Sequence, residues 1–289
     1  MKKTGKLTLL LVTVLSLTLM MGLSASAASK RKLVKTLKEY DINGNLSCTT
    51  SYKYNAKGDT TSEIYKEYSK GKVYLTQKTT MKRSYYKGTG RVKKVTYKRS
   101  LSGRKSKFRY SYFYTYTKRG ALKTSVYQDS GGDYVKASFK SSGSRIKSCT
   151  TRDKKGRKIV SVKFDRHGNI TSVTDHESKD KVNCKYTYDN GIVRKKVITV
   201  WGTSETYTYN SYGDQIQWES GNDRVISENQ YKDGYLKEIT RYSYNNELKK
   251  YEKFTRDTYT WTGKTYKVKK PGNAEVITKL LEPYQFGII

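Results

Sequence analysis

Along most of the chain, bulky residues alternate one by one with small or polar residues. This is the two-residue period of a pleated strand with two unlike faces, and the three- and four-residue spacing of a helix is absent. Short polar turns interrupt the alternation. The unit is clearest in Tyr207-Thr208-Tyr209-Asn210-Ser211-Tyr212-Gly213-Asp214-Gln215-Ile216. Its leading tyrosines share one strand face, Asn210 can accept a backbone N–H two residues on, and Gly213 takes a left-handed corner that a side chain resists. Whole or partial copies begin at Tyr40, Tyr52, Tyr114, Val162, Tyr186 and Tyr242, and Asn190-Gly191 predicts a two-residue hairpin turn. The pattern predicts an all-β protein, an antiparallel meander of repeated hairpins forming one long curled or rolled sheet. Tyrosine-led turns are expected at one edge and looser polar tips at the other.

Two segments depart from this pattern. Lys2, Lys3 and Lys6, an apolar run from Leu7 to Leu23 and Ala25-Ser26-Ala27 form a secretory signal expected to be removed after residue 27. At the other end Pro271-Gly272 breaks the sheet. Asn273 can cap a short helix with Val276, Ile277, Leu280 and Leu281 on one face. The expected organisation is a signal over 1–27, a β-repeat domain over 28–270 and a capping segment over 271–289. The mature chain is expected to be secreted, extracellular or wall-associated, without stable membrane insertion.

Composition complicates a globular reading. Few aliphatic residues and a net charge of +34 are a disorder signature, but 28 Tyr, three Trp, only two Pro and the regular alternation oppose it. Tyrosine can fill a core if its hydroxyl finds a partner. Cys48, Cys149 and Cys184 fit no zinc spacing. They read as three small semi-buried side chains, with a Cys149–Cys184 bridge left open.

The recurrent Tyr-x-Tyr-Asp-x-x-Gly-Asn-Leu/Ile pattern resembles the YD-repeat, or RHS-repeat, family over most of the mature chain. Asp41, Asp165 and Asp189 keep the family's Asp, while Asn55, Asn210, Asn245 and Thr117 replace it. The resemblance implies hairpins joined into long curling sheets, and a cell-surface role in carbohydrate binding and contact. It does not imply toxin delivery, because the chain is short for a shell around a toxin and nothing after Pro271 looks like a separate enzyme.

Chemistry has little foothold in these residues. His167 sits at a turn position that Asn43, Lys57, Arg119 and Tyr212 fill in other copies, and His176 has no nucleophile in local context, so no enzyme activity, cofactor or metal is expected. The positive charge is the stronger clue, because a surplus of this size repels itself unless an anionic partner is present. The expected partner is an anionic cell-wall polymer such as teichoic acid, or a glycan, with nucleic acid secondary. Candidate contacts are the basic residues Lys93, Lys94, Arg104, Lys105, Lys154, Lys155 and Arg157, and the aromatic residues Tyr110, Tyr112, Tyr114, Tyr116, Trp201 and Trp218. For the aromatic set, core packing is the competing assignment. A structural or adhesive module acting through exposed strand edges is the alternative function.

Overall fold

The computed structural model describes residues 30–103, 108–143 and 145–267. The signal, Arg104, Lys105 and the capping helix expected after Pro271 lie outside these residues. The strands are β1 (Lys30–Arg31), β2 (Val34–Tyr40), β3 (Leu46–Tyr54), β4 (Thr60–Ser69), β5 (Lys72–Tyr85), β6 (Val92–Leu101) and β7 (Phe108–Tyr116). They continue as β8 (Leu122–Asp129), β9 (Tyr134–Ser142), β10 (Arg145–Arg152), β11 (Lys158–Phe164), β12 (Ile170–Asp175), β13 (Lys181–Asp189) and β14 (Ile192–Val200). The last are β15 (Thr203–Tyr209), β16 (Gln215–Ser220), β17 (Asp223–Lys232), β18 (Tyr235–Asn245), β19 (Lys250–Trp261) and β20 (Tyr266–Lys267). No helix occurs among the described residues.

The antiparallel meander is present, but the sheet is neither open nor rolled. β2 to β19 form one closed barrel, with β19 pairing to β2 from Arg256 opposite Tyr40 to Trp261 opposite Val34. Over that span closure pairs the two edges that a rolled sheet would leave free, while β19 from Lys250 to Thr255 runs on beyond β2. Closure depends on partners more than two hundred residues apart, which no local pattern in the chain reveals.

The turns divide between two rims. One rim carries the turns β2–β3, β4–β5 and so on to β18–β19; the other carries β3–β4, β5–β6 and so on to β17–β18. Asn55–Asp59, Thr117–Ala121, Asp165–Asn169 and Asn210–Asp214 share one five-residue geometry on the second rim. The first residue's N–H donates to the fifth carbonyl, and the fourth residue's N–H donates to the first carbonyl. That fourth residue is a left-handed glycine, as at Gly58 with φ +77°. The expected separation of turn classes is incomplete, because the Tyr40-led turn at Asp41 sits on the first rim.

The tyrosines have a specific task. On the second rim, a tyrosine ending the strand after next reaches back to a turn and binds its polar side chains. Tyr231 Oη donates to Asp214 Oδ2 at 2.6 Å and accepts from Asn210 Nδ2 at 2.7 Å. Tyr188 repeats this with Asp165 and Asn169, and Tyr85 donates to Asp59 Oδ2 at 2.8 Å. The third turn residue then stacks on the same ring: Tyr212 on Tyr231 at 4.4 Å, His167 on Tyr188 at 4.1 Å and Lys57 over Tyr85 at 4.2 Å. Each clasp ties one hairpin to the next.

Directly opposed residues share a face, so the inward rows can be followed around the barrel. One row runs Val95, Tyr112, Tyr127, Val135; another runs Phe139, Cys149, Val162, Val173, Val182, Val200. From β6 to β13 these side chains make a continuous packed core, with Val95 and Val173 wholly buried. Across β14–β19 and β2–β5 the inward side chains are mostly half-buried, with a smaller cluster around Leu236, Ile239 and Tyr259. β1 and β20 form a two-stranded ribbon over the second rim on this side, where buried Tyr266 packs 5.9 Å from the Tyr54 ring. All three cysteines are buried and free. The Cys149–Cys184 bridge is not made because β11 and β12 lie between β10 and β13. That is three strand spacings, or about 14 Å, against a disulfide reach of roughly 7 Å.

Candidate functional site

The face opposite the core is the barrel's outer wall, and lysine dominates it. Strand pairing places most of these lysines opposite Ser or Thr. Lys82 faces Thr96, Lys98 faces Thr80, Lys163 faces Ser148 and Ser172, and Lys38 faces Thr49 and Thr258. Among the described residues none of Lys38, Lys82, Lys98, Lys136 or Lys163 has a carboxylate at ion-pair distance. A barrel that faces lipid presents an apolar band about 25 Å tall outside. This wall presents ammonium and hydroxyl groups along the paired lysines instead.

Many of the acids that could neutralise the wall point inward. Asp257, Glu39, Cys48, Glu67 and Leu75 form one inward row. Tyr65 Oη donates to Glu67 Oε1 at 2.8 Å and Tyr207 Oη donates to Glu205 Oε2 at 2.6 Å, so tyrosines also hold the interior acids. Arg241 Nη1 meets Asp257 Oδ2 at 2.8 Å. Burial holds Glu39 above its ordinary pKa and the facing Asp257 adds to this; burial likewise raises Asp257, with Arg241 opposing. Glu39, Glu67, Glu205 and Asp257 thus stand inside, together with the inward bases Arg241 and Lys196, while lysines such as Lys38, Lys82 and Lys163 stand outside.

The candidate residues do not form one patch. Lys93 and Lys94 begin β6 on the second rim, with Lys94 Nζ 4.6 Å from the Phe113 ring. Lys154, Lys155 and Arg157 occupy the β10–β11 turn on the opposite rim, where Arg157 pairs with Asp153 at 2.6 Å. Tyr110, Tyr112, Tyr114 and Tyr116 share a face, as their spacing predicts, but it is the inward one. Tyr112 and Tyr114 are 1% exposed, and Tyr97 stacks on Tyr110 at 4.6 Å. The ladder therefore takes part in the core. Trp218 also faces inward, opposite Tyr207, whereas Trp201 stands 65% exposed at the β14–β15 tip.

Sequence reasoning missed one polar contact. Ser161 Oγ lies 2.8 Å from His176 Nε2, joining β11 to the β12–β13 turn. A nucleophile–base pair needs a third group to orient the imidazole, and among the described residues no hydrogen bond to the other ring nitrogen is found. Fifteen residues separate the two, so only strand pairing could reveal the contact.

No family profile and no curated protein matches the sequence. Among solved structures the chain is similar to a porin-like protein from Bacteroides uniformis, at 12% identity and a TM-score of 0.44, covering 79% of this chain and 98% of that one. It is also similar to a porin-like protein from Bacteroides vulgatus, at 11% identity and a TM-score of 0.28, covering 81% and 100%. A third similarity is to the Photorhabdus luminescens Tc holotoxin pore, at 11% identity and a TM-score of 0.22, where 78% of this chain spans 18% of that one.

Proposed function

We propose that this is a secreted, non-catalytic repeat protein of YD-repeat type that binds anionic polymers of the cell envelope, or acidic glycans, along its outer wall. One observation carries the reading: most of the wall lysines oppose Ser or Thr across the strands, while Glu39, Glu67, Glu205 and Asp257 are turned inside. A surface built this way leaves ammonium groups without internal counterions and flanks them with hydroxyl donors for phosphate or carboxylate oxygens. The contacts are individually weak and numerous, so affinity comes from repetition along a flexible chain. The repeat type is supported by the turn clasps, in which the recurrent tyrosines and Asx residues bind one another.

Co-sedimentation of the mature protein with bacterial cell walls tests this reading. Binding lost when teichoic acid is stripped and when salt is raised is the expected result. Binding that survives both treatments overturns it and favours the adhesive alternative, for which the unpaired side of β19 from Lys250 to Thr255, beyond the last pair with β2, is the available edge.

A further inference from the structure

The rim that carries the β2–β3 turn differs from the rest of the surface. Of nine large apolar side chains exposed among the described residues, eight lie at or beside this rim. They include Ile42 (58% exposed), Tyr74 (62%), Trp201 (65%), Leu248 (56%) and Phe254 (51%). The ninth, Tyr212, stacks on Tyr231 at the other rim. The β18–β19, β2–β3, β4–β5 and β6–β7 turns are consecutive on the apolar rim because β19 closes onto β2.

Trp201 adds an independent sign. It occupies the first position of a two-residue turn at φ +49°, a left-handed conformation that Asn190 adopts at φ +50° in the β13–β14 turn. Asn suits that place and an aromatic residue does not, so the position gives up local comfort to display an indole. The ring is also fixed, because its N–H donates to Asp180 Oδ1 at 2.7 Å.

From this geometry we propose that the rim docks onto an anionic lipid bilayer, with the apolar tips entering the interfacial layer and the barrel standing above it. The spacing favours a bilayer over a protein partner. Neighbouring tips on this rim are two strands, roughly 10 Å, apart. They form separate points on a ring, whereas a protein interface needs a contiguous patch of about 800 Å² per partner. A fluid surface accepts separate points, and Trp and Tyr favour its headgroup level. Lys70, Lys72, Lys249 and Lys250 flank the tips, and the chain's charge of +34 selects anionic headgroups.

The test is flotation of the mature protein with vesicles of equal parts phosphatidylcholine and phosphatidylglycerol, made with and without brominated acyl chains. Wild-type protein floats, and brominated lipid quenches an emission component that Trp201→Asn lacks. The triple variant Ile42→Ser, Trp201→Asn, Leu248→Ser binds at least ~tenfold more weakly while its circular dichroism melt is retained. Trp201→Asn alone supplies a better-tolerated turn residue and keeps the test independent of folding. Absence of flotation overturns the proposal. So does flotation without quenching that the triple variant leaves unchanged, since the lysine wall alone would then account for it.

Discussion

Replacing Arg241 with Met tests how the barrel tolerates acids on its inner face. The substitution keeps length and apolar contact but removes the 2.8 Å ion pair to Asp257, leaving Asp257 opposite Glu39 with no cation between them. The Arg241 and Asp257 side chains are 11% and 6% exposed, so solvent screens little of the loss. Breaking such a pair from one side costs about 3–5 kcal/mol. The acids can relieve part of this by taking up protons, which puts the cost near the lower figure. For a domain of this size, ~3 kcal/mol lowers Tm by roughly 6–12 °C. Differential scanning calorimetry across a pH series reads it. Glu39 and Asp257 already sit above the ordinary carboxylate range, and losing Arg241 raises Asp257 further. A carboxyl raised in the folded state favours folding when protonated, and that contribution is lost as pH rises through its folded pKa. The deficit of Arg241→Met is therefore largest near neutral pH and shrinks toward about pH 4. Adding Glu39→Gln recovers part of it at neutral pH. A variant as stable as wild type at neutral pH, or a deficit that grows on acidification, refutes the reasoning.

Tyr231→Phe removes a hydroxyl that serves Asp214 and Asn210 at once, and is expected to cost about 2 kcal/mol in a thermal or urea melt, with Tyr188→Phe behaving alike. His167→Ala loses the stack on Tyr188 and an exposed hydrogen bond that Arg166 Nε donates to His167 Nε2 at 3.0 Å, and is expected to cost ~1 kcal/mol or less by the same melt. Burial pushes the Cys149 thiol up to about 12 and also raises Cys48 and Cys184. Ellman's reagent should accordingly find no reactive thiol in the native protein near neutral pH, and all three after unfolding in denaturant.

Local features of this fold were legible in the sequence. The alternation in 108–116 places Tyr110 to Tyr116 on one face, and the Asx–Gly corners place the turns, because both depend on residues a few positions apart. The clasps were visible only as a recurrence of tyrosine, since Tyr231 meets Asp214 across 17 residues and Tyr188 meets Asp165 across 23. Closure by β2 and β19 left no trace in periodicity, because strand pairing there obeys the same alternation as a free edge. The basic residues show the same limit. Runs such as Lys93-Lys94 and Lys154-Lys155 stand out along the chain, yet they end at opposite rims. The wall is assembled across strands from lysines such as Lys82, Lys98 and Lys163, and in the pairs Lys82-Arg83 and Lys98-Arg99 the arginine turns inward, so a run does not mark the wall. Nor could sequence show that Glu39, Glu67 and Asp257 share an inward row, and that row is what leaves the wall so basic.

The most direct test of the charged wall is the salt dependence of binding to a soluble polyphosphate-type wall polymer, followed by fluorescence anisotropy. Wild-type protein is compared with a variant carrying Lys82→Glu, Lys98→Glu, Lys136→Glu and Lys163→Glu. All four lysines are exposed, so the barrel should melt unchanged. Affinity is expected to fall steeply with rising salt, with a slope in the variant shallower by about 0.7 for each lysine the polymer engages, by analogy with single-stranded polyphosphates. Binding insensitive to salt, or equal in the two proteins, would contradict this reading of the wall.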